Sequence, residues 1–243
     1  MTYCVGMRLN KGLVFMSDTR TNAGVDNVAT VRKMFTWHKP GERMITLMTA
    51  GNLATTQSVV SILDERTKVP AERNPSLLET PTMFQAARLV GEALRETIQT
   101  NVQSGQSAEA MFGATLIMGG QIKGTPPRLF LIYPQGNFIE ATDDNPYFQI
   151  GETKYGRPIL VRGYDPDMSF EQDVKLLVVS FDSTLKANLS VGLPIDFQTY
   201  TDGEYAPTHQ KRLEPDDPYF QTIAHDWAVA LRSAFLSLPD PEL

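Results

Sequence analysis

The second residue of this chain carries the most chemistry for its position. The chain opens Met1-Thr2-Tyr3-Cys4-Val5-Gly6. Once Met1 is removed, Thr2 holds a hydroxyl and a free α-amine, which supply a nucleophile and its own base from one residue. An α-amine titrates near pH ~8 in model peptides, so a good fraction is neutral at cellular pH. The chemistry is acyl transfer, and it depends on what the following residues bring around Thr2.

Residues 2–9 read as a strand, with Thr2, Cys4, Gly6 and Arg8 on one face and Tyr3, Val5, Met7 and Leu9 on the other. Asn10-Lys11-Gly12 is a turn signal, and Leu13 to Met16 runs back as a second apolar strand. In such a hairpin, partner numbers sum to roughly 21–22, which brings Asp18, Thr19 and Arg20 beside Thr2. Thr21 to Asn27 reads as loop and Thr30 to His38 as a strand with Lys33 near its start. Arg43 to Thr49 is another strand, ending in Ala50-Gly51, with Asn52 as N-cap of a helix from Leu53. A glycine at such a junction admits close backbone approach to a ligand, and helix-start N–H groups stabilise an anion.

Thr2, Asp18-Thr19-Arg20, Lys33 and Ala50-Gly51-Asn52 together resemble the motif set of proteasome β subunits, which are N-terminal-nucleophile hydrolases. Met16 to Arg20, Val31 to Met34 and Gly151-Glu152-Thr153-Lys154-Tyr155-Gly156 most closely resemble Anbu, the bacterial proteasome-type protease family. The resemblance spans essentially the whole chain. It implies that Thr2 is the nucleophile, exposed by loss of Met1 alone. Lys33 would sit beside its hydroxyl and lower its proton affinity. Asp18 would orient Lys33, and the Gly51 N–H would meet the oxyanion, a contact worth ~3–4 kcal/mol of barrier. Arg20 would hold Asp18 or a loop.

Two stretches depart from the proteasome pattern. Where a Gly-Ser-Gly usually supplies a serine to the N-terminal amine, Gly151-Glu152-Thr153 stands, so Glu152 or Thr153 would serve. Where an aspartate precedes Ser and Gly, Asn188-Leu189-Ser190-Val191-Gly192 stands, leaving Asn188 and Ser190 as amine support or as a helix cap. The reading that follows is a threonine-type peptidase acting on a peptide or small amide substrate. A weakly active or non-catalytic assembly subunit, or a non-peptide amidase, are the alternatives on this fold. The resemblance also implies a homo-oligomer, ring-like or an open spiral, and leaves an ATPase partner open. The chain itself has no Walker-type phosphate loop.

The rest of the chain must build a frame for these residues. Leu53–Lys68 and about Pro81–Val102 read as helices, with a breaker-rich link through Pro75 and a loop at Ser104-Gly105-Gln106-Ser107. Phe84, Ala87, Leu89, Val90, Ala93, Leu94 and Ile98 form the expected buried stripe of the second. Strands follow at 113–119, 128–134 and 137–141, with Gln135-Gly136 as a hairpin turn. Gln149-Ile150-Gly151 leads into a short helix through Val161. Phe170–Ala187 is amphipathic with Ser169 as N-cap, Leu193–Tyr200 is strand-like, and Asp217–Leu236 is a last helix. The segment between Tyr200 and Pro218 reads as an insert and a candidate subunit contact. Strand blocks split by helix pairs make an α+β chain, a four-layer αββα sandwich forming one domain over 1–243.

Composition narrows the partners. With 243 residues, 42% hydrophobic and 21% charged, the chain is long and apolar enough for a sizeable core. A formal net charge of −6 argues against nucleic acid or an anionic membrane. One cysteine, Cys4, allows no intramolecular disulfide, and together with the lack of a signal peptide it suits the cytoplasm. His38, His209 and His225 share no metal-ligand spacing, so neither a metal nor a cofactor is expected.

Overall fold

The structure is a computed structural model that describes residues 2–22, 28–68, 75–100 and 112–243. The expected loop at 104–107 and most of those at 21–27 and 69–75 lie outside these residues.

The first hairpin sets the frame. β1 (Tyr3–Leu9) pairs antiparallel with β2 (Gly12–Asp18), Cys4 opposite Ser17 and Leu9 opposite Gly12. Every residue of β2 and all but one of β1 are buried. Side chains alternate across a strand, so one hairpin feeds two cores. Tyr3, Val5, Met7, Leu9, Val14 and Met16 face helices. Cys4, Leu13 and Phe15 face a second sheet.

That first sheet has the order β10-β1-β2-β11-β12, with β10 at Tyr147–Gly151, β11 at Ile195–Thr201 and β12 at His209–Leu213. The second has the order β5-β6-β7-β8-β9, with β5 at Met34–Lys39, β6 at Arg43–Gly51, β7 at Ala114–Ile122, β8 at Arg128–Ile132 and β9 at Phe138–Glu140. A small ribbon of β3 (Arg20–Asn22) and β4 (Val28–Thr30) stands apart. Met34, Met48, Ile117 and Leu129 close the core between the sheets.

Helices cover both outer faces. α1 (Leu53–Lys68) and α2 (Met83–Thr100) pack Val59, Leu63, Ala86, Val90 and Leu94 on Ile45, Leu47, Leu116 and Phe130. On the other side lie α3 (Arg157–Gly163), α4 (Phe170–Ala187) and α5 (Pro218–Leu236). α4 buries Val174, Leu177, Val178 and Phe181 on the first sheet. Its start is a capping box, in which Ser169 Oγ accepts the Gln172 N–H and Gln172 Oε1 accepts the Ser169 N–H. The molecule is thus an α+β sandwich of four layers, with both sheets antiparallel.

Several expected elements differ. The strand from Thr30 to His38 is interrupted. The Val31 N–H donates to Thr19 O in line with β3–β4, and the Lys33 O accepts the Thr49 N–H in line with β5–β6, so residues 31–33 carry the chain from one sheet to another. Thr21 and Asn22 lie on β3, not in a loop. Gln149 to Gly151 belongs to β10, which pairs with β1, and the helix begins only at Arg157. The expected insert after Tyr200 carries β12, an integral edge strand against β11. Phe84 is half exposed, its ring meeting Phe138 edge-on at 5.3 Å, because it lies at the margin of the α2 stripe.

Candidate active site

Thr2 lies at the open end of β1 and is 8% exposed. Its neighbours on both sides follow from register. On the β2 side the Tyr3 N–H donates to Asp18 Oδ1 at 2.9 Å. On the β10 side the Thr2 O accepts the Glu152 N–H at 2.6 Å. Gly151 has φ +81°, and a Cβ there would lie 2.0 Å from Thr2 O. Glycine is therefore what lets β10 close on the chain start.

Asp18 is fully buried and is the hub. Its Oδ1 receives both the Tyr3 N–H and Lys33 Nζ, the latter at 2.7 Å, and its Oδ2 receives the Gly192 N–H at 3.4 Å. Burial pushes the Asp18 carboxyl up, and Lys33 with the two backbone donors pulls it back. Lys33, 5% exposed, makes a second bond to Arg20 O at 2.6 Å. Lys33 stands at the start of the β5–β6 register, where its O accepts the Thr49 N–H, and its side chain reaches across to Asp18 on β2.

Arg20 does not touch the Asp18 carboxylate. It donates to Leu189 O at 2.9 Å, and its guanidinium fills the space a Gly192 side chain would take. It clamps the 188–192 turn over the site. Asn188, the C-cap of α4, donates from Nδ2 to Glu152 Oε2 at 2.9 Å and accepts the Ser190 N–H on Oδ1. Glu152 is 7% exposed, and its Oε1 also accepts the Lys154 N–H. Of the two candidates at this stretch, Glu152 turns inward. Thr153 is exposed and lines a separate cleft with Asp143, Gln149 and Arg157, so it is not part of the cluster.

Gly51 ends β6 with φ +119°, opposite Ala114, and a Cβ there would lie 2.4 Å from Gly113 O. Asn52 caps α1 through Oδ1, which accepts the Thr55 N–H. The Thr49 N–H donates to Lys33 O, tying the end of β6 to the Lys33 segment. Cys4 shares the β1 face with Thr2 but is fully buried, its Sγ facing Thr49 O at 3.8 Å, and burial pushes its thiol up. It is a core residue.

Sequence reasoning missed the support behind Thr2. The buried Tyr3 phenol meets Ser180 Oγ at 2.7 Å and accepts from Gln149 Nε2 at 2.9 Å. Ser180 Oγ in turn donates to Gly156 O at 3.0 Å, tying β1, α4 and the start of α3 together. Burial pushes the phenol up, so it stays neutral. No spacing pattern links residues 3, 149, 156 and 180. Among the described residues no group of three His, Cys, Asp or Glu side chains could hold a metal, and no helix is long and apolar enough to cross a membrane.

No curated protein sequence matches the chain. The proteasome subunit family model matches residues 2–197. Anbu (ancestral beta-subunit) from Yersinia bercovieri is 48% identical with a TM-score of 0.92, covering 99% of this chain and 100% of its own. Anbu from Hyphomicrobium sp. strain MC1 is 48% identical with a TM-score of 0.91, covering 99% and 100%. The helical assembly of the Anbu complex from Pseudomonas aeruginosa is 45% identical with a TM-score of 0.92, covering 99% and 98%. On family model, identity and coverage together, the chain belongs to the proteasome-subunit family, in its Anbu branch.

Proposed function

We propose that the protein is an N-terminal-nucleophile hydrolase in which Thr2, freed of Met1, cleaves amide bonds in peptides. One observation carries the reading. Lys33 Nζ and the Tyr3 N–H share Asp18 Oδ1, which holds a buried cation beside the residue that follows Thr2. The Thr2 amine takes the hydroxyl proton and Oγ1 attacks the substrate carbonyl. Lys33 lowers the proton affinity of that hydroxyl, and Asp18 orients Lys33. The Gly51 N–H faces the oxyanion as it forms. The protonated amine then gives its proton to the departing amine, and water releases the Thr2 ester. Arg20 and Gly192 keep the wall around Asp18 closed. Asn188 holds the Glu152 carboxylate from the end of α4, and the Ser190 N–H braces Asn188.

The proposal extends to self-assembly. α5 buries Phe220 but leaves Leu231 55% and Phe235 70% exposed. Apolar surface of this kind on a helix marks a contact face. The relative from Pseudomonas aeruginosa forms a helical assembly, and a heterologous contact repeated from copy to copy gives this chain a ring or a spiral. The test is a screen of fluorogenic peptides and small amides with wild type and Thr2→Ala. The reading requires hydrolysis of at least one peptide by wild type and none by Thr2→Ala at unchanged oligomer mass. Equal rates for the two proteins would refute it.

A further inference from the structure

Glu152 is a buried carboxylate that accepts only neutral donors among the described residues. Its Oε1 accepts the Lys154 N–H and its Oε2 accepts Asn188 Nδ2, both at 2.9 Å. A carboxylate has room for about four such bonds, so two neutral donors leave half its capacity free. A buried anion is costly until it is paired with a cation. The cations nearby are committed elsewhere. Lys33 Nζ is taken by Asp18 and Arg20 O, and Arg20 is bound to Leu189 O. Lys154 offers Glu152 its backbone and is itself exposed, and Lys186 at the end of α4 pairs with Asp182. What stands next to Glu152 is Thr2, whose O accepts the Glu152 N–H.

We propose that Glu152 is the counter-ion of the Thr2 α-ammonium, created when Met1 is lost, and that it holds this amine protonated so that Thr2 works best in alkaline solution. The inference rests on the N-terminal-nucleophile reading for its effect on rate, but not for the ion pair itself. The charged groups bonded to the chain at or next to Thr2 are Asp18 from β2, which accepts the Tyr3 N–H, Lys33 from the segment before β5, which donates to Asp18, and Glu152 from the segment after β10, whose N–H meets Thr2 O. Asp18 and Lys33 cancel one another, and Glu152 is the charge left over. An opposite charge at this range favours the ionised form by about one to three pH units. The amine is the general base, so only its neutral form starts the reaction. The rate therefore rises through a midpoint set well above the ordinary α-amine value of ~8. In this account Glu152 is a positioning and charge-setting residue. It does not touch the substrate.

The experiment measures the amine directly. Protein shown by intact mass to lack Met1, after co-expression with methionyl aminopeptidase, is labelled with trace acetic anhydride across a pH series. The extent of Thr2 acetylation is read from the N-terminal peptide. Wild type and Glu152→Asp should share a high midpoint, and Glu152→Gln should fall by about one to three pH units. Where hydrolysis is measurable, its acidic limb should move by the same amount. Coincident midpoints for wild type and Glu152→Gln would overturn the ion pair, as would a chain that keeps Met1 under these conditions. Separated midpoints with no hydrolysis by either protein would sustain the ion pair and count only against the hydrolase reading.

Discussion

At the scale of single residues, the account turns on one buried ion pair and what it orients. Asp18 and Lys33 are both almost wholly out of water. Removing one partner of such a pair strands the other, at a cost of about 3–5 kcal/mol. Lys33→Met should lower stability by that amount in urea unfolding and abolish any Thr2 chemistry. Lys33→Met with Asp18→Asn should recover most of the stability and none of the chemistry. Equal stability for wild type and Lys33→Met would show that the pair is not buried in solution. The meeting of Thr2 with Asp18 was legible from residue type and spacing, because a hairpin fixes which numbers meet, whereas Lys33 and Gly51 lie outside that hairpin and were expected beside Thr2 only through the resemblance to proteasome subunits. Glu152 over Thr153 was not legible. The choice depends on the φ of Gly151 and on Asn188 reaching across from the end of α4.

At the scale of elements, the frame was readable where periodicity was strong and opaque where chain path overrode it. α4 announced itself through its apolar spacing and Ser169 cap. The β4–β5 interruption did not, because residues 31–33 have ordinary strand composition and pass from the β3–β4 register, at Val31 opposite Thr19, to the β5–β6 register, at Lys33 opposite Thr49. β12 was hidden too. His209 to Leu213 reads polar because it is an edge strand with one side in water. α4 also carries an oddity within its packed face. Asp173 is fully buried and neither carboxylate oxygen has a partner among the described residues. Burial alone pushes its carboxyl up from 3.8 to about 7. A raised carboxyl favours the fold while it is protonated in both states. That contribution is whole below pH ~4, where the unfolded chain titrates, and is lost as pH rises to about 7. Asp173→Asn should therefore match wild type near pH 4 and exceed it progressively up to pH ~7. The gain above that pH is on the order of 4 kcal/mol at most, at 1.36 kcal/mol per unit. Thermal melts across this range would show the divergence, and parallel curves would mean that Asp173 is ionised and solvated.

At the scale of the whole molecule, the sandwich places the candidate site at an edge and leaves an apolar helix face uncovered. The two sheets bury most of their facing sides, from Cys4 and Phe15 to Met48 and Ile117, which leaves strand ends such as Gly51 and Gly151 beside Thr2 as the place for the proposed chemistry. The helix face opposite tells another story. A groove of about 760 Å³ runs between α3, α4 and α5, bordered by Ile159, Leu176, Val179, Trp227 and Leu231. Trp227 and Leu231 line this groove, and Phe235 lies one turn further along α5. They follow helical periodicity, but only the first turns of α5 reach the sheet. Periodicity marks a buried face without naming what buries it. Leu231→Glu with Phe235→Glu should reduce the mass found by light scattering while leaving the circular dichroism spectrum unchanged. Unchanged mass would exclude this face from assembly. Cutting the chain at Tyr200 is the poorer test, since it removes β12 and the Leu213 and Phe220 part of the core.

The central claim is that Thr2 is a nucleophile with its own amine as base. Intact mass spectrometry before and after a peptide epoxyketone tests it most directly, because that warhead closes on a free α-amine and its neighbouring hydroxyl together. The account predicts a chain lacking Met1 that gains one inhibitor per subunit, and a Thr2→Ala protein that gains none. A chain that lacks Met1 and stays unmodified, at alkaline as well as neutral pH, would contradict it.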